Sequence, residues 1–415
     1  MKTTDTMGTP TRTLACEIDN IMVNGFTMDL PLVTKEKEKE EEKGGSKSFS
    51  SSPTVPSDMQ YEILCRVALD DLLRQCKWVC KYWNALTYNS TFKRFHSENT
   101  QSISGYFIQS MKKNRYHTSF ISINPPSPSS ISLDFMPTTD IKIEASSYQA
   151  QGLVCCVSKP HSTIPGYYVC KPVTRQWRQI PNPKTRYITE KMAIVVKKSQ
   201  PLHYKIIRLS NSKTGCSLHC EIFDSKKWAW RMYFDNVKLP YYIILSLEPE
   251  VLVHGSFHWL TFGKHKQIFA CDIDKENWSL ISLPQSSASS SSSEEEIEAM
   301  NYDFQIHKTL VNCEGHLGLL YSSRSWMELW VMEDYMKKTW RKKYRVSLEP
   351  LNQMYVGGYS LLALDTMDMM LVKKFDQLIW YNFMRGVPTK VMKLQNLDHD
   401  THHPLNSDNV SCDLK

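Results

Sequence analysis

Long apolar runs are missing from this sequence. Residues 1–15 mix Thr, Asp, Arg and Lys, with no apolar stretch of the kind a secretory leader needs. The most apolar segment, Leu239 to Leu247, is broken by Pro240 and falls well short of the ~18 residues of a membrane span. The expectation is a soluble intracellular chain, in cytoplasm or nucleus, with no membrane partner. Paired CxxC knuckles are absent too. The 12 cysteines read as small core hydrophobes in a reducing compartment, including adjacent Cys155 and Cys156 and the Cys216, His219, Cys220 group that invites a metal. There is no GxSxG elbow, phosphate-binding loop, GxGxxG or HExxH, so no catalytic residue, metal or cofactor is expected. A concentrated basic stripe is also lacking. The formal charge of +7, from 50 Lys+Arg against 43 Asp+Glu, is spread along the chain and argues against a nucleic-acid partner.

The sequence does have size and aromatic content. Its 415 residues suggest two to three domains, and 41% hydrophobic residues with 11 Trp and 20 Tyr can build a sizeable core. Residues 1–52 stand apart as a disordered tail. Their mixed-charge run Lys35 to Lys43, Gly44-Gly45 and a Ser cluster cannot bury enough apolar surface to offset the entropy of ordering.

Residues 53–97 change to helical periodicity. Ser57 with Gln60 three residues on has the form of a capping box. Met59, Ile63 and Val67 share one helical face, with Leu64 beside them. Asp70 or Asp71 offers a cap for the next helix. Leu72, Cys76, Val79, Cys80 and Trp83 then form an apolar stripe, and Phe92 and Phe95 close the segment. So small a helical unit is marginal alone and calls for a neighbour or partner.

From 103 to 395 short β-branched and aromatic runs alternate with turn residues, as in Gly105-Tyr-Phe-Ile108, Tyr167-Tyr-Val-Cys170 and Met192-Ala-Ile-Val-Val196. A weak repeat runs through them: an apolar strand, a charged hinge, a Trp, then a Pro. The tryptophans are Trp177, Trp228, Trp278 and Trp340, spaced by 51, 50 and 62 residues. The last interval holds a low-complexity insert, Ser286 to Glu296. A period near 50 with several strands per unit points to a kelch-like β-propeller, and an ordinary β-sandwich is the rival reading. One Trp per unit is expected to pack between blades rather than to line a ligand site. His254 and His258, four apart, would share a strand face, yet no third ligand accompanies them. Residues 396–415, with His399, His402 and His403, read as a loose tail. The fold class expected is α+β multidomain: disordered tail, small helical unit, then a mainly β domain.

The helical segment resembles an F-box. Val55-Pro-Ser-Asp-Met-Gln-Tyr-Glu-Ile-Leu-Cys-Arg-Val67 is similar to that motif's Leu-Pro-x-Asp-Leu-x-x-Glu-Ile-Leu-x-Arg-Leu, and Val79-Cys-Lys-Tyr-Trp83 to its Val-Cys-Lys-x-Trp. Val55 stands for the usual Leu, and Ala68 stands where Pro is usual between the first two helices. The remainder resembles the F-box-associated domain of the large plant family. Lys171-Pro-Val-Thr-Arg-Gln-Trp177 matches Asn-Pro-x-Thr-Arg-x-Trp with Lys for Asn. Gly255-Ser-Phe-His-Trp-Leu260 and Trp330-Val-Met-Glu-Asp-Tyr335 match two further strands. The resemblance implies a non-catalytic substrate receptor of a Skp–cullin–F-box ubiquitin ligase. Its F-box would bind a Skp-family adaptor and through it a cullin, and its β domain would bind a target for ubiquitination and degradation. The adaptor-facing or adjacent-core set would be Val55, Pro56, Met59, Ile63, Leu64, Leu72, Val79 and Trp83. Two alternatives are an F-box protein with a non-degradative role and a lectin-like or enzymatic propeller with incidental F-box likeness.

Overall fold

The computed structural model describes residues 55–123, 131–147, 151–158, 164–211, 218–237, 244–246, 248–262, 267–284, 306–355, 359–393 and 400–415. The expected tail 1–52 and the Ser286–Glu296 insert lie outside them. Residues 1–56 form a unit of their own, in which Val55 and Pro56 are described and exposed. Everything below concerns residues 57–415.

Helix α1 spans Ser57–Leu64, α2 Leu69–Arg74, α3 Lys81–Leu86 and α4 Ser90–Thr100, with a single 3-10 turn at Cys76–Trp78. Helix α4 runs straight into strand β1 (Ile103–Lys112), which pairs with β2 (Arg115–Ser122). Five antiparallel sheets follow. Blade 1 is β3 (Ile141–Ser146), β4 (Val154–Ser158), β5 (Gly166–Lys171) and β6 (Gln176–Ile180). Blade 2 is β7 (Ile188–Lys198), β8 (His203–Asn211), β9 (Leu218–Asp224) and β10 (Ala229–Val237). Blade 3 adds the two-residue β11 (Ile244–Leu245) to β12 (Val251–Val253), β13 (Ser256–Phe262), β14 (Gln267–Asp272) and β15 (Asn277–Ser282). Blade 4 is β16 (His307–Cys313), β17 (His316–Ser322), β18 (Trp326–Asp334) and β19 (Thr339–Ser347). A short helix, α5 (Glu349–Met354), leads to blade 5, made of β20 (Ser360–Leu364), β21 (Met369–Lys374), β22 (Gln377–Asn382) and β23 (Val387–Lys393). Blade 6 has strand order β2-β1-β24, with β24 at Asp400–Ser407.

These six sheets are a six-bladed β-propeller. The innermost strands of neighbouring blades lie side by side around the axis, β3 against β7, β12 against β16, β16 against β20, and β24 against β3. Each junction between blades holds its own apolar core. Cys155, Val169, Ile194 and Phe223 lie between blades 1 and 2, and Tyr106, Ile108, Leu371 and Trp380 between blades 5 and 6. One sheet alone exposes both faces, so stacking is what buries them.

The tail expected to be loose is instead what closes the ring. Strand β24 pairs with β1 from Ile103↔Ser407 to Ser110↔Asp400. Gly152, at φ +57, lets this strand approach: a Cβ there would sit 2.4 Å from that of Ser407. His402 and His403 are buried in β24, and burial draws their pKa down to about 4 and about 3, so they are neutral packing groups and not a chelating tail. His399 lies outside the described residues. Beyond β24 the chain crosses blade 1. Lys171, fully buried, pairs with Asp408 and donates to the Val410 carbonyl at 2.6 Å. Gln176 donates to the Cys412 carbonyl, and Tyr204 donates to that of Leu414, whose side chain sits in the core between blades 1 and 2. The Lys that departs from the Asn of the motif is thus the anchor of residues 408–415.

The tryptophan register differs from its sequence spacing. The residue opening each outer strand takes the left-handed conformation at Arg175, Trp228, Glu276 and Lys338. The aromatic two positions later pairs with the preceding strand as Cys170↔Trp177, Phe223↔Trp230, Cys271↔Trp278 and Met332↔Trp340. Blade 2 therefore uses Trp230, and Trp228 is its turn residue. Nor are these rings uniformly core. Trp177 and Trp278 are 41% and 37% exposed, whereas Trp230 on the same outermost position of its blade is 3% exposed. Trp230 and Trp340 reach back to the preceding blade, donating indole N–H to the carbonyls of Pro181 and Ser282 at 2.6 and 3.1 Å.

His254 and His258 both pack on Tyr335, with ring centroids 4.9 and 5.6 Å from its ring. His254 sits in the left-handed turn before β13, while His258 is fully buried. Its Nδ1–H donates to the Val251 carbonyl at 3.1 Å, and its Nε2 lies 2.7 Å from the Tyr335 hydroxyl, which donates to it. The His of one motif and the Tyr of another thus join blades 3 and 4. Cys220 is buried in the core between blades 2 and 3, its thiol pKa pushed up by burial, and Cys216 lies outside the described residues.

Two outcomes follow. Lys171→Met should lower stability by roughly 2–3 kcal/mol, since it leaves the partly exposed Asp408 unpaired, and limited proteolysis should then cut within 408–415. Burial holds the His258 pKa down at about 4, against an ordinary 6.5. The unfolded chain then binds the extra proton, so stability is complete above 6.5 and falls as pH drops towards 4. Denaturation of wild type against His258→Gln should show the difference between them shrinking by about 1.4 kcal/mol per pH unit in that window.

Candidate adaptor-docking surface

The helical unit is built around Leu64, Cys65, Leu72, Leu86 and Phe92, all buried, with Tyr61, Val67 and Trp83 packed against them. The Tyr61 ring meets Phe92 edge-on, with centroids 5.3 Å apart. Gln60 Oε1 accepts the Trp83 indole N–H at 2.6 Å and ties α1 to α3. His96 on α4 holds the Val67 carbonyl at 2.8 Å, and burial lowers its pKa. Neither Asp70 nor Asp71 is an N-cap. That position falls on Ala68, which makes no side-chain cap. Cys80 caps α3 through its sulfur, and Asn89 caps α4 by accepting from the Phe92 amide.

Ala68 also explains how the turn survives without Pro. Its φ of −55° is one a proline ring imposes, and its ψ of 141° is one a proline readily adopts. The chain adopts them unaided, at the cost of the freedom a Pro would have removed from the unfolded state.

The eight residues singled out from sequence divide by burial. Leu64 and Leu72, at 0% and 3% exposure, belong to the core, and Trp83 is partly buried against it. Met59, Ile63 and Val79 are 54%, 53% and 64% exposed, and Val55 and Pro56 are exposed in the preceding unit. Met59 and Ile63 lie one helical turn apart on α1 and so form one outward stripe. Trp78, 71% exposed in the turn after α2, lines the cavity between the helices and the propeller instead. Its neighbour Lys77 holds its ammonium 4.9 Å from the indole centroid.

The opposite side of the unit is fixed to the propeller. Arg74 donates to the carbonyls of Val196 and Lys197 at the end of β7, and its Nε bonds Asp70 at 2.8 Å. Asp70 also accepts from Ser199 at 2.6 Å. Asn84 donates to the Glu314 carbonyl, Ser90 to Asp368, and Lys93 to the Asp365 carbonyl. These partners lie at the ends of first strands or in the turns that follow them, so the helices lie over one mouth of the ring and leave beneath them an open-sided cavity of about 1100 Å³.

Geometry thus defines a class: a six-bladed propeller capped at one mouth by a small helical unit with an apolar outer stripe. Comparison with known proteins is consistent with it. Residues 102–402 match the F-box associated beta propeller domain. The F-box protein At5g49610 of Arabidopsis thaliana is 28% identical over 319 residues, covering 74% of this chain and 82% of that protein. F-box protein At5g41720, from the same plant, is 37% identical over 139 residues, 32% of this chain and 74% of that protein. Among solved structures, TolB from Acinetobacter baumannii overlaps with a TM-score of 0.43 at 9% identity, over 74% of this chain and 67% of that one. The chain belongs to the plant F-box proteins that carry a C-terminal F-box-associated β-propeller domain. Among the described residues, no helix is long and apolar enough to cross a membrane.

Ala68→Pro should raise the stability of the helical unit by about 0.4–1 kcal/mol, read as a higher denaturation midpoint with unchanged secondary structure.

Proposed function

We propose that this chain is the substrate-receptor subunit of a Skp–cullin–F-box ubiquitin ligase and performs no covalent chemistry itself. Met59, Ile63 and Val79 are the residues that would meet a Skp-family adaptor. The observation that carries the reading is the outward stripe on α1. Met59 and Ile63 stay more than half exposed while Leu64 beside them is sealed in the core. A large apolar side chain left in water on a unit whose other side is already docked is a surface to be buried by a partner. Its burial contributes roughly 25 cal/mol per Å² before association costs are subtracted.

The mechanism is tethering. The adaptor, and through it a cullin, would hold one end of the molecule, and the propeller would hold the target. The polar links at Arg74, Asn84, Ser90 and Lys93 make the two ends one body, so a bound target keeps a fixed position relative to the scaffold. That raises its effective concentration at the conjugating enzyme and makes ubiquitin transfer quasi-intramolecular. The covered mouth directs target binding to the rim or the opposite face.

The test is a pull-down of the full chain with a purified Skp-family adaptor. Wild type should bind. Met59→Asp with Ile63→Asp should weaken binding by well over tenfold, since each places a charge in an apolar contact while leaving the core intact. Leu64→Asp is the wrong probe, because it would unfold the unit. A wild-type chain that ignores the adaptor overturns the proposal.

A further inference from the structure

The chain's path fixes which turns lie opposite the F-box. Strand β1 leaves α4 and runs through 10 residues before it turns, roughly 30 Å of extended chain. The β1–β2 turn, Lys112 to Arg115, is therefore on the far side of the ring. In blade 5 the turn between β20 and β21 bonds the F-box through Asp365 and Asp368, so the β21–β22 turn is on the far side too. Ile108 of β1 and Leu371 of β21 share the core between blades 5 and 6. The two far-side turns are thus neighbours.

Their sequences are Lys112-Lys-Asn-Arg115 and Lys373-Lys-Phe-Asp376, five cations against one carboxylate. Among the described residues no carboxylate lies in ion-pair reach of Lys112, Lys113, Arg115 or Lys374. The F-box face is different. There Lys197 pairs with Asp274, Lys275 with Asp272 and Lys337 with Asp334. Water satisfies each exposed ammonium of the far-side turns. What the turns create together is a positive potential that no interspersed carboxylate cancels, and such a field selects and steers an acidic partner.

Apolar groups stand among these cations. Met111 is 50% exposed and Phe375 is 72% exposed. Among the described residues two large apolar side chains, Trp228 and Phe375, belong to residues in the left-handed conformation, at φ 49° and 46°. A bulky residue is rare and costly there. Trp228 offsets that cost by packing against the core between blades 1 and 2. Phe375 leaves its ring in water, and an outlier without a packing role points to a contact outside the chain. Lys374 is set beside it, its ammonium 5.1 Å from the Tyr355 ring centroid and 5.9 Å from that of Phe375. Ring and charge are presented together.

We propose that these two turns are where the propeller reads its target, and that the partner is an extended acidic segment bearing an aromatic or aliphatic side chain. Its carboxylates would lie against Lys112, Lys113, Arg115 and Lys374, and its apolar group against Phe375 and Met111. The assignment rests on the receptor role proposed above, in which a surface turned away from the adaptor lets a target bind without obstructing the scaffold. A single apolar anchor among point charges fits a short peptide. A nucleic acid would call for a basic stripe along its phosphates.

The experiment is fluorescence anisotropy of the full chain with labelled octapeptides, EDELEDFE, its apolar-deleted form EDEAEDAE and the basic form KRKLKRFK, and with a labelled oligothymidylate of equal length. At low salt EDELEDFE should bind with Kd below about 100 μM. The apolar-deleted form should bind roughly tenfold more weakly, and the basic form not at all. Lys112→Glu with Lys113→Glu should weaken EDELEDFE by roughly tenfold, and Phe375→Ala by about fivefold. Lys226→Glu with Lys227→Glu, the same charge change at exposed positions on the F-box face, should leave binding unchanged. No binding of EDELEDFE to wild type, equal binding of the basic form, tighter binding of the oligothymidylate, or an equal loss in the Lys226 and Lys227 variant overturns the surface. The adaptor pull-down separates the two readings. A chain that binds adaptor and ignores the peptide loses this surface alone, and one that binds the peptide and ignores the adaptor loses the receptor role alone.

Discussion

The pairing of β24 with β1 is the constraint on which the rest of this molecule depends. Each interblade core needs a neighbour on both sides, and only a closed ring supplies that to every blade. Closure is made between segments far apart in the chain: Asn409 donates to the carbonyl of Gln101, 308 residues away. The loop entropy of such a contact is recovered only after all the intervening blades are stacked. That makes the buried links of the C-terminal segment, Lys171 with Asp408 and Tyr204 with Leu414, parts of the closure as much as of blade 1.

The same junction joins the two functional halves. Helix α4 passes into β1 without a linker, and β1 is the strand on which β24 closes. The F-box is seated by its own continuation into the ring and by donors on its helices that reach acceptors at the first-strand ends of blades 2, 4 and 5. An adaptor gripping α1 would therefore hold a ring whose far side cannot swing, and this is what a tethering role asks of a scaffold.

How much of this was legible in the sequence varies by element. The helical unit could be read because its core and stripe residues follow one period, and short β-branched runs announced β1, β5 and β7. The propeller emerged from a tryptophan spacing that held only in part. Trp228 stood in for Trp230, since two tryptophans one position apart in strand alternation cannot be ranked without knowing which residue turns left-handed. Strand β24 was invisible, because Thr401-His-His-Pro-Leu-Asn406 has the composition of a loop and its histidines look polar until burial makes them neutral. Exposure within the F-box was equally hidden. Ile63 and Leu64 are adjacent and chemically alike, and only the packing of Phe92 and Leu72 decides that one faces water.

Closure by a late strand also bears on how the protein is made. Synthesis delivers the F-box first and β24 after every other blade. Until then a nascent chain carries a finished adaptor stripe on an open arc of blades, with the edge of β1 unpaired. Under the proposed receptor role, a product truncated before β24 could occupy the ligase scaffold with no formed ring behind it. Such a chain would compete for adaptor while exposing the apolar seam meant for blade 1, so premature termination here would have a cost beyond the loss of one polypeptide.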